Sequence, residues 1–423
     1  MSQELIYCID FGTSNSLLAA ATAKNPMEPI NLDPLHSDPT IMRSILYFSG
    51  ETNVSFGQNA IKQYVENTGD GRLIRSIKKY LPSESFTGTI IGNKFYQIEY
   101  LISSFLRELK KRADLCFSQD VKRVVLGRPA RFSLDDKKDN LAESRLKKAA
   151  ELAGFNDVQF FPEPFAAAFS FREELESEKL VLVVDLGGGT SDFTVIKIGS
   201  KAYTPNDVLS IGGISIAGDV LDGSLMTHEL SPYFGAGAKY QLPMGGNILE
   251  MPPILKEKLS SPADITLLNH SDIMYFLNDV KKSLCSKDDL VKMDRLFALV
   301  EDNLGFSIFE EIEKWKKDVC LHGKGRFNFN YPEIELHADL DYDRFQICTQ
   351  ESIEKIFASM NDVIKSAGIQ PEQIDMICCT GGTSKVPAIR NQLVKTYGID
   401  KIQSFQNFHS VIKGLSHRAA ELF

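Results

Sequence analysis

A carboxylate at the end of an apolar β run, followed at once by glycines and hydroxyls, can aim one charge at a cation and backbone N–H groups at an anion. This chain carries that arrangement twice. Leu5 to Ser16 reads LIYCIDFGTSNS, and Leu180 to Phe193 reads LVLVVDLGGGTSDF. Asp10 and Asp185 end the two runs; Gly12, Thr13, Ser14 and Asn15 follow the first, and Gly187, Gly188, Gly189 and Thr190 follow the second. Glycine lets backbone approach an oxyanion with no Cβ in the way. A single Asp-x-Gly turn is often only a turn, but DLGGGTSD packs glycines, hydroxyls and two carboxylates so densely that a ligand is the better explanation. Two such turns could close on one phosphate chain from opposite sides. A nucleoside triphosphate in an acidic protein needs oriented N–H groups, a metal ion and a cation. Asp10 and Asp185 suit magnesium, which keeps most of its waters and accepts one or two carboxylates.

The elements that must position these groups can be read from apolar spacing. Leu5–Ile9 and Leu17–Ala21 flank the first turn, and Thr194–Ile198 follows the second as an alternating, β-branched run, so both turns read as hairpin tips. Neither GxxxxGK[ST] nor GxGxxG is present, and no helix follows either turn directly. Ser133, with Asp136 three residues on, reads as a capping-box-like helix start, closed by Gly154. Glu163-Pro164 opens another helix, with proline suited to the first position. Ser231 to Pro262 is rich in Pro and Gly and reads as an irregular insertion or long surface loop, the segment best placed to meet a partner. From about Asp272 to Val319 the spacing is helical, and Phe327 to Tyr342 alternates as strands do, with Pro332 at an edge or bend. A helix near Asp343–Ala367, a strand at Ile374–Cys379, the turn Thr380-Gly381-Gly382-Thr383 and a final helix opened by Pro387 complete the pattern. Strands and helices mix in each half, which makes the chain α/β.

Composition narrows the classes. A chain of 423 residues exceeds the size of a single growing core, so two domains or duplicated halves are expected. Hydrophobic residues at 43% and charged residues at 24% match soluble globular proteins. A net charge of −9 argues against nucleic acid or an anionic membrane as the main partner. Seven scattered cysteines without a CxxC pair read as reduced thiols, and seven histidines form no zinc pattern. No leader or spanning run is apparent, and a cytoplasmic location is expected.

The ordered set resembles the actin-like ATPase superfamily, in which two similar α/β halves close over ATP, and its details favour the DnaK-type heat-shock chaperones (the heat shock protein 70 family). IDFGTSNS looks like that family's first phosphate motif, Ser76-Ile77-Lys78-Lys79-Tyr80-Leu81 like its lysine segment, and Glu163-Pro164-x-Ala166-Ala167 like its connecting helix. DLGGGTSDF, with Gly218-Asp219-x-x-Asp222 after it, is similar to the second phosphate region, and Gly381-Gly382-Thr383-Ser384-Lys385-Val386-Pro387 to the adenosine loop. A closer likeness is to the short YegD-type proteins, which share Gly127-Arg128-Pro129, the Asp157–Pro164 stretch and the ending Ser410-Val411-x-x-Gly414-Leu415.

The resemblance implies an actin-like ATPase fold of two duplicated lobes around a nucleotide cleft, with inserted subdomains. Lobe I would span 1–178 and lobe II 179–423, the latter with an insertion at about 220–342; no peptide-binding domain is expected before the end at Phe423. The implied activity is that of a chaperone-type module that binds ATP or ADP with Mg²⁺, hydrolyses ATP slowly, switches conformation and serves a protein partner or client. Lys78 would support γ-phosphate transfer, Thr13 and Thr190 would contact phosphate, Asp10 and Asp185 would hold magnesium through water, and Asp192 and Glu163 would orient the attacking water. Gly218, Glu313, Lys316, Gly381, Gly382, Thr383 and Lys385 would serve the nucleotide. The chain departs from the family where an arginine is replaced by Lys385, a helix serine by Cys320 and an acidic residue by Phe408. A compact ammonium stacks on a base less well than a guanidinium. The alternatives are a small-molecule kinase of the same superfamily, with Asp192 as its base, and a non-catalytic nucleotide-binding protein.

Overall fold

Both apolar runs become strands, and both turns become hairpin tips. In the computed structural model, which describes residues 4–23, 25–67, 71–169, 177–199, 204–241, 246–404 and 409–423, Ile6–Phe11 pairs antiparallel with Asn15–Ala21 and Lys179–Leu186 with Ser191–Ile198. Each hairpin seeds a five-stranded sheet. In the first, Met42–Arg43 joins the return strand antiparallel, while Arg123–Arg128 and then Asp157–Pro162 add in parallel on the side of the leading strand. In the second, Val208–Ile214 joins the return strand antiparallel, while Met376–Thr380 and then Ile402–Ser404 add in parallel on the other side. The order and sense are the same in both sheets. The predicted α/β duplication is therefore a duplication of topology, visible strand by strand.

Contacts divide the chain into two units: Met1–Ser215 with Ile356–Lys385 and Ile389–Phe423, and Ile216–Lys355 with Val386–Ala388. Both sheets lie in the first unit. Alternation along Ile6–Phe11 sends side chains to two cores. Tyr7, Ile9 and Phe11 pack with Leu101, Phe105, Leu146 and Ala149 of the helices Ile98–Phe117 and Asp136–Ala153. Ile6 and Cys8 face a core shared with Val181, Val183 and Ile196 of the second sheet and with Phe165, Ile412 and Leu415 of the helices Glu163–Phe169 and Ser410–Ala420. Those last two helices pack so closely that a Cβ on Gly414 would stand 1.8 Å from the Ala166 carbonyl oxygen, so only glycine fits there.

The second unit contains the helices Gly218–Leu225, Ser271–Lys282, Lys287–Glu301 and Gly305–His322 and the hairpin Lys324–Tyr331 with Ile334–Asp341. The helical and alternating stretches hold as expected, and Pro332 sits at the hairpin tip beside Glu333, whose φ is +69°.

Three local expectations need correction. The segment 231–262 is not one loop: Ser231–Phe234 forms a 3₁₀ turn, Lys239–Tyr240 pairs with Leu249–Glu250, and Pro253–Leu259 is helical. Gly235 and Gly237, both at positive φ, turn the chain between the 3₁₀ piece and the first short strand; residues 242–245 fall outside those described. The helix at 136 is capped by Asp135, whose carboxylate accepts from the Lys137 and Lys138 amides, while Ser133 Oγ accepts from the Asp135 amide one step earlier. Pro387 opens the helix Pro387–Tyr397, but Ser410–Ala420 follows it as the last helix. Phe408 lies outside the described residues. No helix among the described residues is long and apolar enough to cross a membrane.

Candidate phosphate and metal site

Lys78 reaches the site from a short 3₁₀ turn, Ile77–Tyr80, pinned by buried Ile77 and Leu81 on either side. The turn is entered through Ser76 in the left-handed region, φ 54° and ψ 31°, a conformation that a non-glycine residue adopts only under tertiary constraint. Nζ of Lys78 donates to Oε1 of Glu163 at 2.7 Å, and both side chains are largely buried. Glu163 opens the helix Glu163–Phe169 straight after the parallel strand Asp157–Pro162. A carboxylate at a helix start is favoured by the exposed amides there. Burial works against the Lys78 ammonium, but Glu163, Asp10 and Asp185 together hold its pKa above the ordinary lysine value.

The carboxylates gather around that one ammonium. Asp10, at the end of the first hairpin's leading strand, is pushed up to about 8 by burial and then by Glu163, with Lys78 opposing. Asp185, its counterpart, is raised by burial, and Thr380 opposes the rise: Oγ1 of Thr380 donates to Oδ1 of Asp185 at 2.7 Å. Asp192 pairs directly across the second hairpin from Asp185. The crowd of protein around it, and then Asp185, push it up to about 7. Its side chain is open to solvent, so water screens part of that push. Oγ1 of Thr190 donates to Oδ2 of Asp192 at 2.8 Å. Glu163, Asp185, Thr190, Asp192 and Thr380 line one groove of about 270 Å³, whose remaining wall includes Phe132, Phe193 and Ile211.

The two turns are built alike. The Gly12 amide donates to the Asn15 carbonyl at 3.1 Å, and the Gly187 amide to the Thr190 carbonyl at 3.0 Å. The amides of Gly12 and Gly187 therefore close their turns, which leaves the anion-facing role to the amides that follow. The third glycine loop docks on the second turn. Gly381 has a φ of +79°, and a Cβ there would meet the Leu186 carbonyl oxygen at 2.1 Å. Oγ1 of Thr383 donates to the Gly187 carbonyl at 2.7 Å, and Gly382–Lys385 forms a 3₁₀ turn.

Asp10, Lys78, Glu163, Asp185, Thr190 and Asp192 are thus brought together within one unit, together with the Gly381–Lys385 loop. Gly218, Glu313 and Lys316 belong to the other unit. There Lys316 is not a solvated helix residue: its ammonium lies 2.8 Å from Oδ1 of Asp222 and donates to Oδ2 at 2.9 Å and to the Gly218 carbonyl at 3.2 Å. Burial pushes the Asp222 carboxyl up to about 7 even so. Lys316, against the cost of its own burial, is held above the usual lysine value by Asp222. The ion pair governs, because either charge buried without the other would be far more costly. Glu313, half-buried on the same helix, lies 2.7 Å from Lys317 and near enough to Asp222 and Lys316 to help raise both. Thr380 and Asp222 were not singled out as site residues; Thr380 is visible in sequence only as a hydroxyl preceding Gly381, and Asp222 only as the end of a GDxxD string.

Among the described residues, no three His, Cys, Asp or Glu side chains stand close enough to hold a metal ion directly. That donor set does not make a cage for a dehydrated ion. It does fit magnesium with its water shell largely kept, and four carboxylates around one lysine leave room for further positive charge.

A family model described as Hsp70 protein matches residues 85–232 and 307–421, well over half of the chain and including the second turn, Glu163 and the third glycine loop. A chaperone protein DnaK of Thermosipho melanesiensis is 24% identical over 424 residues, covering 99% of this chain and 60% of that protein. A second, from Mycoplasmopsis synoviae, is 25% identical over 405 residues, covering 94% of this chain and 55% of that protein. The chain therefore spans somewhat over half the length of these relatives. Its mixed α/β sheets, each grown from a glycine-turn hairpin in the same strand order, are those of an actin-like ATPase fold, and the chain belongs to the Hsp70 family.

Proposed function

We propose that this chain is a chaperone-type ATPase module that binds Mg²⁺-ATP by its two hairpin turns, hydrolyses it slowly and uses nucleotide state as a conformational switch. One observation carries the reading: a buried Lys78–Glu163 pair stands among Asp10, Asp185 and Asp192 where two glycine turns of one plan converge in a single unit. Asp10 and Asp185 would hold magnesium through its waters, and the ion would neutralise charge on the phosphates. Lys78 supplies the fixed positive charge beside the transferring phosphoryl group, and Glu163 keeps the ammonium aimed. Asp192, steadied by Thr190, accepts a hydrogen bond from the attacking water, with Glu163 on the same groove wall. Phosphoryl transfer asks mainly for such positioning and charge stabilisation.

The division into lobes at 178/179, the nucleotide roles of Gly218, Glu313, Lys316 and Lys385, the likeness to YegD-type proteins and service to a protein client all belong to this reading. The test is calorimetric titration with ATP, ADP and other nucleotides, with and without magnesium, alongside phosphate release from ATP. Binding with slow release and no added acceptor is the expected result. ADP formation that requires a small-molecule acceptor, without phosphate release, points to a kinase instead, and binding without either to a nucleotide-gated binding protein.

A further inference from the structure

The two turns share a second feature, on the side of their carbonyls. Oγ of Ser44 donates to the Gly12 carbonyl at 2.7 Å, and Oγ1 of Thr383 donates to the Gly187 carbonyl at 2.7 Å. The same backbone atom is held in each turn by a buried hydroxyl, delivered from 32 residues away in one case and 196 in the other. Ser44 is itself fixed: its amide donates to the Ser14 carbonyl at 2.8 Å, and its hydroxyl lies 2.8 Å from that of Ser16. Turn closure does not require either hydroxyl, because the Gly12 and Gly187 amides already close the turns.

In a planar trans peptide the carbonyl and the following N–H point in opposite directions. No peptide among the described residues is cis. Holding the Gly12 carbonyl therefore fixes the aim of the Thr13 N–H, and holding the Gly187 carbonyl fixes that of the Gly188 N–H. A hydrogen bond at the carbonyl also polarises the peptide and strengthens its N–H as a donor. Without the anchor, a glycine turn can rotate the peptide plane and present a carbonyl oxygen to an anion.

We infer that Ser44 and Thr383 are matched positioning residues, which lock the Thr13 and Gly188 amides toward a phosphate chain and so set affinity for the polyphosphate part of the ligand. This rests on the nucleotide reading above. Neither hydroxyl touches the reacting atoms; each acts through one peptide plane.

The test compares the full wild-type chain with Ser44→Ala, Ser44→Thr, Thr383→Val and Thr383→Ser. Each is titrated calorimetrically with ATP, ADP and adenosine in magnesium, and each is melted to check its fold. Ser44→Ala and Thr383→Val should weaken ATP and ADP by about three- to tenfold, as one lost neutral hydrogen bond implies. Adenosine binding should be unchanged in Ser44→Ala; Thr383 also lies in the loop read as serving adenosine, so Thr383→Val should weaken ATP more than adenosine, and Ser44→Thr and Thr383→Ser should recover most of the loss. If Ser44→Ala does not fold, Thr383→Val carries the same comparison from a different segment. Equal weakening of ATP and adenosine would mean a merely structural role and overturn the inference. Wild-type protein that binds ATP, with variants whose ATP-to-adenosine ratio is unchanged, overturns this inference alone. Wild-type protein that takes up no ATP overturns both this and the reading it rests on.

Discussion

Asp10 and Asp185 end equivalent strands of equivalent sheets, and each is followed by a turn closed by its first glycine, yet their carboxylates are held by different means. Asp185 accepts a neutral hydrogen bond from Thr380, the residue beside it in the parallel register. Asp10 depends on the charge of Lys78 and is pushed up to about 8 by burial and by Glu163. The first copy of the plan has acquired an ammonium and a glutamate from the chain that follows its hairpin. The second has a hydroxyl, from Thr380, and a second aspartate, Asp192; the hydroxyl on the turn carbonyl, from Ser44 or Thr383, is common to both. Backbone frames survive duplication because hairpin and sheet geometry is local. Side-chain partners diverge because they are set by residue choice at neighbouring strands and distant turns rather than by the backbone frame.

That contrast can be broken by experiment. Lys78→Ala removes the cation on which the first copy depends and should cut phosphate release by about 100-fold or more, on the scale of deleting a preorganised charge at a transition state. Unchanged turnover would remove Lys78 from the mechanism. In the second copy, Gly381→Ala places a Cβ against the Leu186 carbonyl at a positive φ. It should lower stability by about 1–3 kcal/mol in denaturant titration, and an unaltered midpoint would show that the third loop does not dock as described. Asp185→Asn should weaken magnesium-dependent ATP binding by about tenfold more than magnesium-free binding, whereas Thr380→Val, which only loosens the same carboxylate, should cost about fivefold. Equal losses with and without the ion would count against a metal role for Asp185.

A further effect is a slope. Burial, and then Glu163, push Asp10 up to about 8, against about 3.9 for an unfolded aspartate, and solvent-screened Asp192 is raised in the same direction. Across that window the folded protein binds more protons than the unfolded chain, so stability of the magnesium-free protein should fall as pH rises from about 4 toward 8. Thermal melts of wild type and Asp10→Asn measure it. A variant with the same slope as wild type would show that Asp10 does not dominate the cluster.

Much of this was legible in the residues. The hairpins at both turns, the helices of 271–322, the strand pair around Pro332 and the helix opened by Pro387 follow from apolar periodicity and turn chemistry, which act over a few residues. The helix cap was misplaced by two residues because Ser133 and Asp135 are both good caps, and only backbone position chooses between them. The insertion at 231–262 looked irregular because short elements between glycines are too brief to show a period. The E-x-x-K spacing of Glu313 and Lys316 left the usual solvated face open, and burial against Asp222 decided for Lys316 alone.

The sequence by itself determined the class, the duplicated turns and the identity of the charged groups, since these depend on residue type, order and local spacing. Tertiary structure alone decided that Glu163 would hold Lys78, that Thr380 would steady Asp185, and that Ser44 and Thr383 would take the same carbonyl in two copies of one turn. Those pairings join segments 32 to 196 residues apart. No local pattern encodes them, because they exist only once the sheets and cores have fixed where distant strand ends meet.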